Sequence, residues 1–205
     1  MRMFGDYCFE YYPDEHIYLV DGVILPSITH ILGSRFSGKY SGVSAAVLKR
    51  AADAGTAVHE AIERWCKTGE ESDLPELRGF KTLKRLYGFE VVDNEVPVIL
   101  SVDGAPAACG RLDLVLRKDG KIGGADIKRT SSLDKEYLAY QLNLYRIAYR
   151  QTYGVEWKFL YGLHLRGETR RLVEFPINEA AALDLVREYQ KGQENEQSVF
   201  DWQNN

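Results

Sequence analysis

Residues 107–128 read AACGRLDLVLRKDGKIGGADIK, and this stretch decides the fold. Two strand-like runs in it flank the dipeptide Asp119-Gly120. An Asp-Gly pair between two such runs is a strong signal for a two-residue hairpin turn. We therefore predict an antiparallel hairpin with strands at Ala107–Arg117 and Lys121–Lys128.

The turn also sets which residues of the two strands lie opposite each other. In the register of a two-residue turn, Asp113 faces Asp126 and Arg111 faces Lys128. Because side chains alternate along a strand, these four polar residues share one face of the sheet. The other face receives the aliphatic residues Leu112, Leu114, Leu116, Ala125 and Ile127.

The polar face has the composition of a metal site. Carboxylates directly opposite each other have Cβ atoms about 4.5–5.5 Å apart, and their like charges destabilise the sheet. A divalent cation between Asp113 and Asp126 would reverse that effect, and carboxylate oxygens are the ligands that Mg²⁺ and Mn²⁺ prefer. Lys128 beside them can hold a phosphate oxygen or lower the pKa of an attacking water. This combination favours phosphodiester hydrolysis.

Two other interpretations of the hairpin stay open. Its charges can be solvated groups whose role is to keep the protein soluble. Alternatively, Gly123-Gly124 can host a β-bulge, which would shift the register by one residue.

The remaining periodicity predicts an α/β fold, in which helices flank a central mixed β-sheet. Helices starting at Thr56 and at Ser131 or Ser132 are expected to use those residues as N-caps. The predicted helices are at about Val43–Ala52, Thr56–Lys67, Leu74–Leu86, Leu133–Tyr153 and Glu179–Lys191, and the further strands at Phe89–Leu100, Lys158–Leu165 and Arg170–Phe175.

The N-terminus predicts a separate aromatic β-arm. Its strands are Tyr7–Tyr12 and His16–Leu25, and Ser27 then caps a short helix. We accordingly divide the chain into an arm at 1–26, a core at 27–192 and a polar, frayed tail at 193–205.

Composition adds limits on class and compartment. The 205 residues suit one domain, and no run approaches the ~18 apolar residues of a membrane span, so we expect a cytoplasmic protein without a membrane partner. The net charge is −4, but Lys and Arg outnumber Asp and Glu between Gly110 and Arg171, and this positive segment could face a polyanion.

The cysteines Cys8, Cys66 and Cys109 include no CxxC pair, so we expect reduced thiols and no iron–sulfur cluster.

Two helices carry further candidate residues. In GTAVHEAIERWC (55–66), His59 lies at the border of an apolar face, where it can reach a metal or hydrogen-bond to Glu63 one turn away. Gln141 and Tyr145 share a stripe of the later helix, where they can contact substrate or can belong to ordinary packing.

Four segments occur in a fixed order: GTAVHEAIE (55–63), GRLDLV (110–115), ADIKRT (125–130) and YQLNLYRIAY (140–149). This order resembles the PD-(D/E)XK nuclease superfamily, in its RecB-like exonuclease branch. The upstream HIYLVDGVILPSITHIL (16–32) looks like the N-terminal portion of phage-borne members. The resemblance implies a restriction-endonuclease-like core.

The resemblance also implies residue roles. The metal ligands would be His59, Asp113, Asp126 and the backbone carbonyl of Ile127, and the catalytic residues would be Lys128, Asp113, Asp126, Gln141 and Tyr145. Glu95 stands where relatives often have a glutamate and would support the site from outside the metal's ligand set. Leu112 replaces the proline of the superfamily's name, and the cysteine cluster of some RecB-like members is absent.

The expected function is Mg²⁺- or Mn²⁺-dependent DNA hydrolysis by an exonuclease, in recombination or repair of phage or mobile-element DNA. Arg111 and Arg129 would contact phosphates of the DNA without reading its sequence. A phage single-strand annealing or recombination protein would be a natural partner. Two alternatives remain: an endonuclease on the same scaffold, or a DNA-binding or assembly subunit with little catalysis.

Overall fold

The computed structural model describes residues 1–13, 15–36, 42 and 44–203, with side chains through Gln193. The five helices of this part are α1 (Ile28–Arg35), α2 (Ala45–Thr68), α3 (Pro75–Tyr87), α4 (Lys135–Tyr153) and α5 (Glu179–Gln203). The nine strands are β1 (Arg2–Phe4), β2 (Tyr7–Tyr12), β3 (Ile17–Val20), β4 (Val23–Leu25), β5 (Glu90–Val102), β6 (Ala105–Lys118), β7 (Lys121–Lys128), β8 (Leu160–Arg166) and β9 (Thr169–Phe175).

The strands form two sheets. The larger is five-stranded, in the order β5-β6-β7-β8-β9, and the pair β7–β8 is parallel while the others are antiparallel. Helix α4 makes the crossover that a parallel pair requires. The chain is thus α/β with a mixed central sheet flanked by helices, as predicted.

The predicted hairpin register is confirmed over the paired residues. Strands β6 and β7 pair from Lys118↔Lys121 to Leu114↔Ala125 without a shift, around the positive-φ turn residues Asp119 and Gly120. The suggested bulge at Gly123-Gly124 does not form. These glycines instead let aromatic rings from the loop before β8 lie against the strand, since a Cβ at Gly124 would stand 1.9 Å from the Trp157 ring.

Both faces of this sheet are covered, so the expectation of one polar and one core face was too simple. Leu114, Leu116, Ala125 and Ile127 pack with α2 and α3, as the alternation predicts. Leu112 instead belongs to the cluster on the α4 side. It lies on the part of β6 beyond its pairing with β7, where strand twist changes its surroundings.

Three helix boundaries differ from the prediction. Helix α2 is continuous, so Thr56 is an interior residue and not an N-cap; Val43 lies outside the described residues. Asp134, rather than Ser131 or Ser132, caps α4 by accepting from the Tyr137 amide. The last helix extends through the segment predicted as frayed, which is rich in helix-favouring Gln and Glu.

The N-terminal arm is a four-stranded antiparallel sheet in chain order. The prediction missed β1 and merged β3 with β4, which are separated by a turn at Asp21 and Gly22, both with positive φ. Ser27 caps α1 as predicted, accepting from the His30 amide. The arm packs on the central sheet through Ile99 and the buried Cys109.

The three cysteines are unbonded; Cys109 is buried, and Cys8 and Cys66 are half-buried. No helix in the described part of the chain has the length and apolarity needed to cross a membrane.

The packing of Trp157 on Gly124 predicts a strong effect of one methyl group. Gly124→Ala should lower the free energy of unfolding by about 1–3 kcal/mol, because the added Cβ displaces a buried ring. Urea unfolding of the metal-free protein measures the change.

Gly55→Ala is the matched control, because nothing lies within 4 Å of a Cβ at this interior position of α2. It should stabilise the protein by about 0.5–1 kcal/mol. A loss of stability there would contradict a continuous helix.

Candidate active site

Three carboxylates come together on adjacent strands of the central sheet. The pairs Asn94↔Leu114 and Val96↔Leu112 place Glu95 of β5 across from Asp113 of β6. Asp113 and Asp126 directly follow the last β6–β7 pair, Leu114↔Ala125, and the Ile127 amide donates to Asp113. The predicted pair of opposed acids therefore becomes a row of three.

A backbone irregularity brings Glu95 into this row. The hairpin between β5 and β6 has an Asp103-Gly104 turn, and the register shifts by one residue between Leu100 and Ser101, so that Ala107 is the extra residue on β6. Without the shift, Glu95 would face Leu112. Glu95 itself has φ 52°, a rare conformation for a residue with a side chain, and one that is often found at functional sites.

His59 completes the cluster from the side of α2. Its Nδ1 lies 3.6 Å from Glu95 Oε1 and 3.6 Å from Asp113 Oδ1. Its Nε2 is 3.2 Å from the Ile127 carbonyl oxygen and donates to it. The alternative bond from His59 to Glu63 is not present, because Glu63 pairs with Lys67 at 2.5 Å.

His59, Glu95 and Asp113 form a possible metal centre. One ligand atom from each lies within 4.8 Å of the others, and each residue is half-buried. Glu95, predicted to support the site from outside the ligand set, lies in this group. Asp113 is held in place by the Ile127 amide, which donates to its Oδ2 at 2.6 Å.

Asp126 and Lys128 form the inner part of the site. Asp126 is 1% exposed, and neither of its carboxylate oxygens accepts a hydrogen bond of regular geometry. Lys128 Nζ lies 2.5 Å from Asp126 Oδ2 as an ion pair. Burial raises the pKa of Asp126, and the Asp113 charge adds to this effect, while Lys128 opposes it.

The acids control the charge of the neighbouring bases. Burial alone would lower the pKa of His59, but Asp113, Glu95 and Asp126 outweigh it and raise this pKa to about 9. Burial likewise acts to lower the pKa of Lys128, and the charges of Asp126 and Asp113 raise it on balance. At neutral pH, without metal, both side chains are therefore cationic.

Arg111 and Tyr145 border the cluster. The Arg111 guanidinium pairs with Glu95 Oε2 at 2.7 Å and lies over the ring of Tyr11 from the N-terminal sheet. The Tyr145 hydroxyl donates to the Arg111 carbonyl at 3.2 Å, and its ring occupies the space that a Cβ at Gly110 would need. Burial, with Asp113 nearby, raises the pKa of Tyr145, which keeps it a neutral donor.

The last two predicted residues lie in different places. Gln141 is 4% exposed, lies beside Tyr145, and its Oε1 has no hydrogen-bond partner. Arg129 points away from the acids and binds Glu76 of α3 at 2.9 Å. Because Glu76 also accepts from the Gly167 amide, Arg129 belongs to a contact that ties α3 to the β8–β9 turn.

No family model matches the chain, and no curated protein matches it significantly. Among solved structures, it is similar to one described as the crystal structure of SSO0001, with a TM-score of 0.46 and 18% identity. That likeness covers 82% of this chain and 75% of the other. At this TM-score it carries no argument about family or function.

The raised pKa of His59 predicts that Mn²⁺ binding depends on pH. A protonated imidazole cannot ligate a metal, so binding must release its proton. Affinity should rise between pH 7 and pH 9, by up to about tenfold per pH unit, and level off above the pKa of about 9. Calorimetric titration with Mn²⁺ measures this.

His59→Gln keeps a polar side chain but removes the titrating nitrogen. It should bind Mn²⁺ more weakly and with a flatter pH dependence. An unchanged pH profile in this variant would show that His59 does not ligate the metal.

Proposed function

We propose that the chain is a Mg²⁺- or Mn²⁺-dependent deoxyribonuclease. The observation that carries this is the row of three carboxylates, Glu95, Asp113 and Asp126, on adjacent strands, with Lys128 paired to Asp126. In this proposal the chain belongs to the PD-(D/E)XK superfamily, in its RecB-like branch, and the central sheet is a restriction-endonuclease-like core.

The donor set fits a divalent metal. Glu95 and Asp113 offer oxygen atoms and His59 offers a nitrogen, a combination suited to Mn²⁺ and compatible with Mg²⁺. Asp126 Oδ2 pairs with Lys128, but its buried Oδ1 has no partner among the described residues, which in a folded protein calls for an explanation such as an ion. The Ile127 carbonyl oxygen accepts a hydrogen bond from His59 and so lies beside the residues that would hold the metal.

A bound metal would activate water and neutralise charge on the scissile phosphate. The protein's own residues hold the reacting groups in place. Lys128 stays cationic and is oriented by Asp126, so its ammonium can hold a phosphate oxygen and stabilise the charge that develops there. Tyr145 fixes the backbone of β6 at Arg111, beside the acids. Gln141 offers an unpartnered oxygen that can orient a water.

Phosphate contacts alone would bind DNA without regard to sequence, so a requirement for a free end is the simplest limit on cleavage. We therefore propose an exonuclease acting in recombination or repair of phage or mobile-element DNA. A single-strand annealing or recombination protein would be a suitable partner.

The pair Asp126–Lys128 supplies the sharpest test of the proposed chemistry. Asp126→Asn should weaken Mn²⁺ binding and abolish cleavage. Lys128→Ala should reduce cleavage about a hundredfold to a thousandfold, because it removes charge stabilisation in the transition state, and leave metal affinity nearly unchanged. Cleavage is followed on labelled linear DNA with Mg²⁺, Mn²⁺ or EDTA.

Lys121→Ala is the matched control, since this exposed lysine lies at the other end of the same strand. It should leave cleavage intact. Undiminished cleavage by the wild-type protein in EDTA would refute the metal mechanism.

Substrate topology separates the exonuclease from its alternatives. Linear DNA labelled at either end should be degraded progressively, and covalently closed circles should survive. Discrete fragments from a closed circle would establish the endonuclease instead. DNA binding without any cleavage in Mg²⁺ or Mn²⁺ would favour a binding subunit.

A further inference from the structure

A row of basic residues lies next to the row of acids. Lys128 of β7 pairs with His164 of β8, and His164 pairs with Arg171 of β9. The β6–β7 pairs end at Leu114↔Ala125, so the line starts on β7. Three adjacent strands thus carry Lys128, His164 and Arg171 in one line, and we call this line the basic row.

The packing around β9 shows which face of the sheet Arg171 occupies. Val173, two residues further on, packs against the core cluster on the α4 side. Leu172 packs against the cluster on the side of α2 and α3. Because side chains alternate, Arg171 lies on the same face as Lys128, and Arg170 lies on the opposite face.

The members of the basic row differ in how many of their polar contacts are already made. Lys128 pairs with Asp126. His164 is 7% exposed and donates from Nε2 to the Thr130 carbonyl at 2.7 Å, so it holds the loop after β7. Arg171 is exposed and has no ion pair with any residue that the structure describes.

Two other arginines of this region are neutralised by acids. Arg129 binds Glu76, and the buried Arg146 binds Glu156 and Glu179. These contacts hold elements of the fold together. Among the described residues, Arg171 has no such partner, and neither does the exposed Arg166 of β8. Arg171 is the one in register with the proposed catalytic lysine, where an unpaired guanidinium can bind a substrate anion.

We infer that Arg171 binds a phosphate of the DNA strand that is cleaved, and that this strand runs along the basic row from Lys128 toward Arg171. The Cα atoms of Lys128 and Arg171 are about 10 Å apart, two strand spacings, so Arg171 holds a phosphate outside the cleavage point. The inference rests on the proposed nucleic-acid substrate and adds a binding residue remote from the metal ligands.

The test compares two neighbouring arginines on opposite faces of β9. Arg170, the control, is exposed, pairs with Glu168 at 3.8 Å and faces α3. Binding of fluorescein-labelled single-stranded and duplex oligodeoxynucleotides is measured by anisotropy in EDTA. Arg171→Ala should weaken binding about tenfold and lower the slope of log affinity against log salt by about 0.7–0.9.

Arg170→Ala should stay within about twofold of the wild-type affinity, since its contact lies off the row. Arg171→Lys should recover part of the binding, and thermal melting of each variant verifies folding. Equal effects of the two alanine variants, or no effect of Arg171→Ala, would contradict the proposed binding of DNA along the basic row.

Cleavage by the wild-type protein in Mg²⁺, measured in parallel, distinguishes the two proposals. If Arg171→Ala binds DNA normally and the wild-type protein cleaves with metal, the role of Arg171 is wrong and the nuclease proposal stands. If this variant binds DNA weakly and the wild-type protein does not cleave, the nuclease proposal is wrong and DNA binding along the basic row stands.

Discussion

Repulsion among Glu95, Asp113 and Asp126 is the interaction on which the rest of the site depends. Like charges brought together and partly removed from water interact strongly, because the surrounding protein screens them far less than bulk solvent does. The chain surrounds the acids with cations from three directions: His59 from α2, Lys128 from β7 and Arg111 from β6. Two apolar clusters, one on each face of the sheet, hold the strands in place against the repulsion.

The site is built on strands, so its geometry is set by backbone pairing more than by side-chain flexibility. Two Asp-Gly turns start the hairpins, and one extra residue on β6 aligns the acid of β5 with those of β6 and β7. Glycines then allow aromatic rings to approach the backbone closely, with Trp157 on Gly124 and Tyr145 on Gly110. Groups held in this way keep a fixed spacing, which the proposed chemistry would require.

The sequence rules for two-residue turns predicted the part of the site that lies on the β6–β7 hairpin. The Asp119-Gly120 turn fixes the β6–β7 register, and the structure has that register. Glu95 could not be placed in the same way, because the extra residue at Ala107 leaves no clear mark in the sequence. The contact of Arg129 with Glu76 could not be predicted either, because this partner lies 53 residues away and only the tertiary structure brings it near. Gly55 suggested a break in α2, but the cost of a glycine in a helix, about 1 kcal/mol, is small beside the burial of the following apolar face.

Helix α2 reaches the site with only its second half packed. Residues 45–53 are exposed, whereas Val58, Ala61 and Ile62 are buried against the sheet and α3. Amide protons in the first three turns are therefore protected only by the local helix–coil equilibrium, and those near Ile62 are protected by the stability of the whole core. Hydrogen exchange along this single helix should slow gradually toward His59, so this histidine lies where amide protection changes from local to global unfolding.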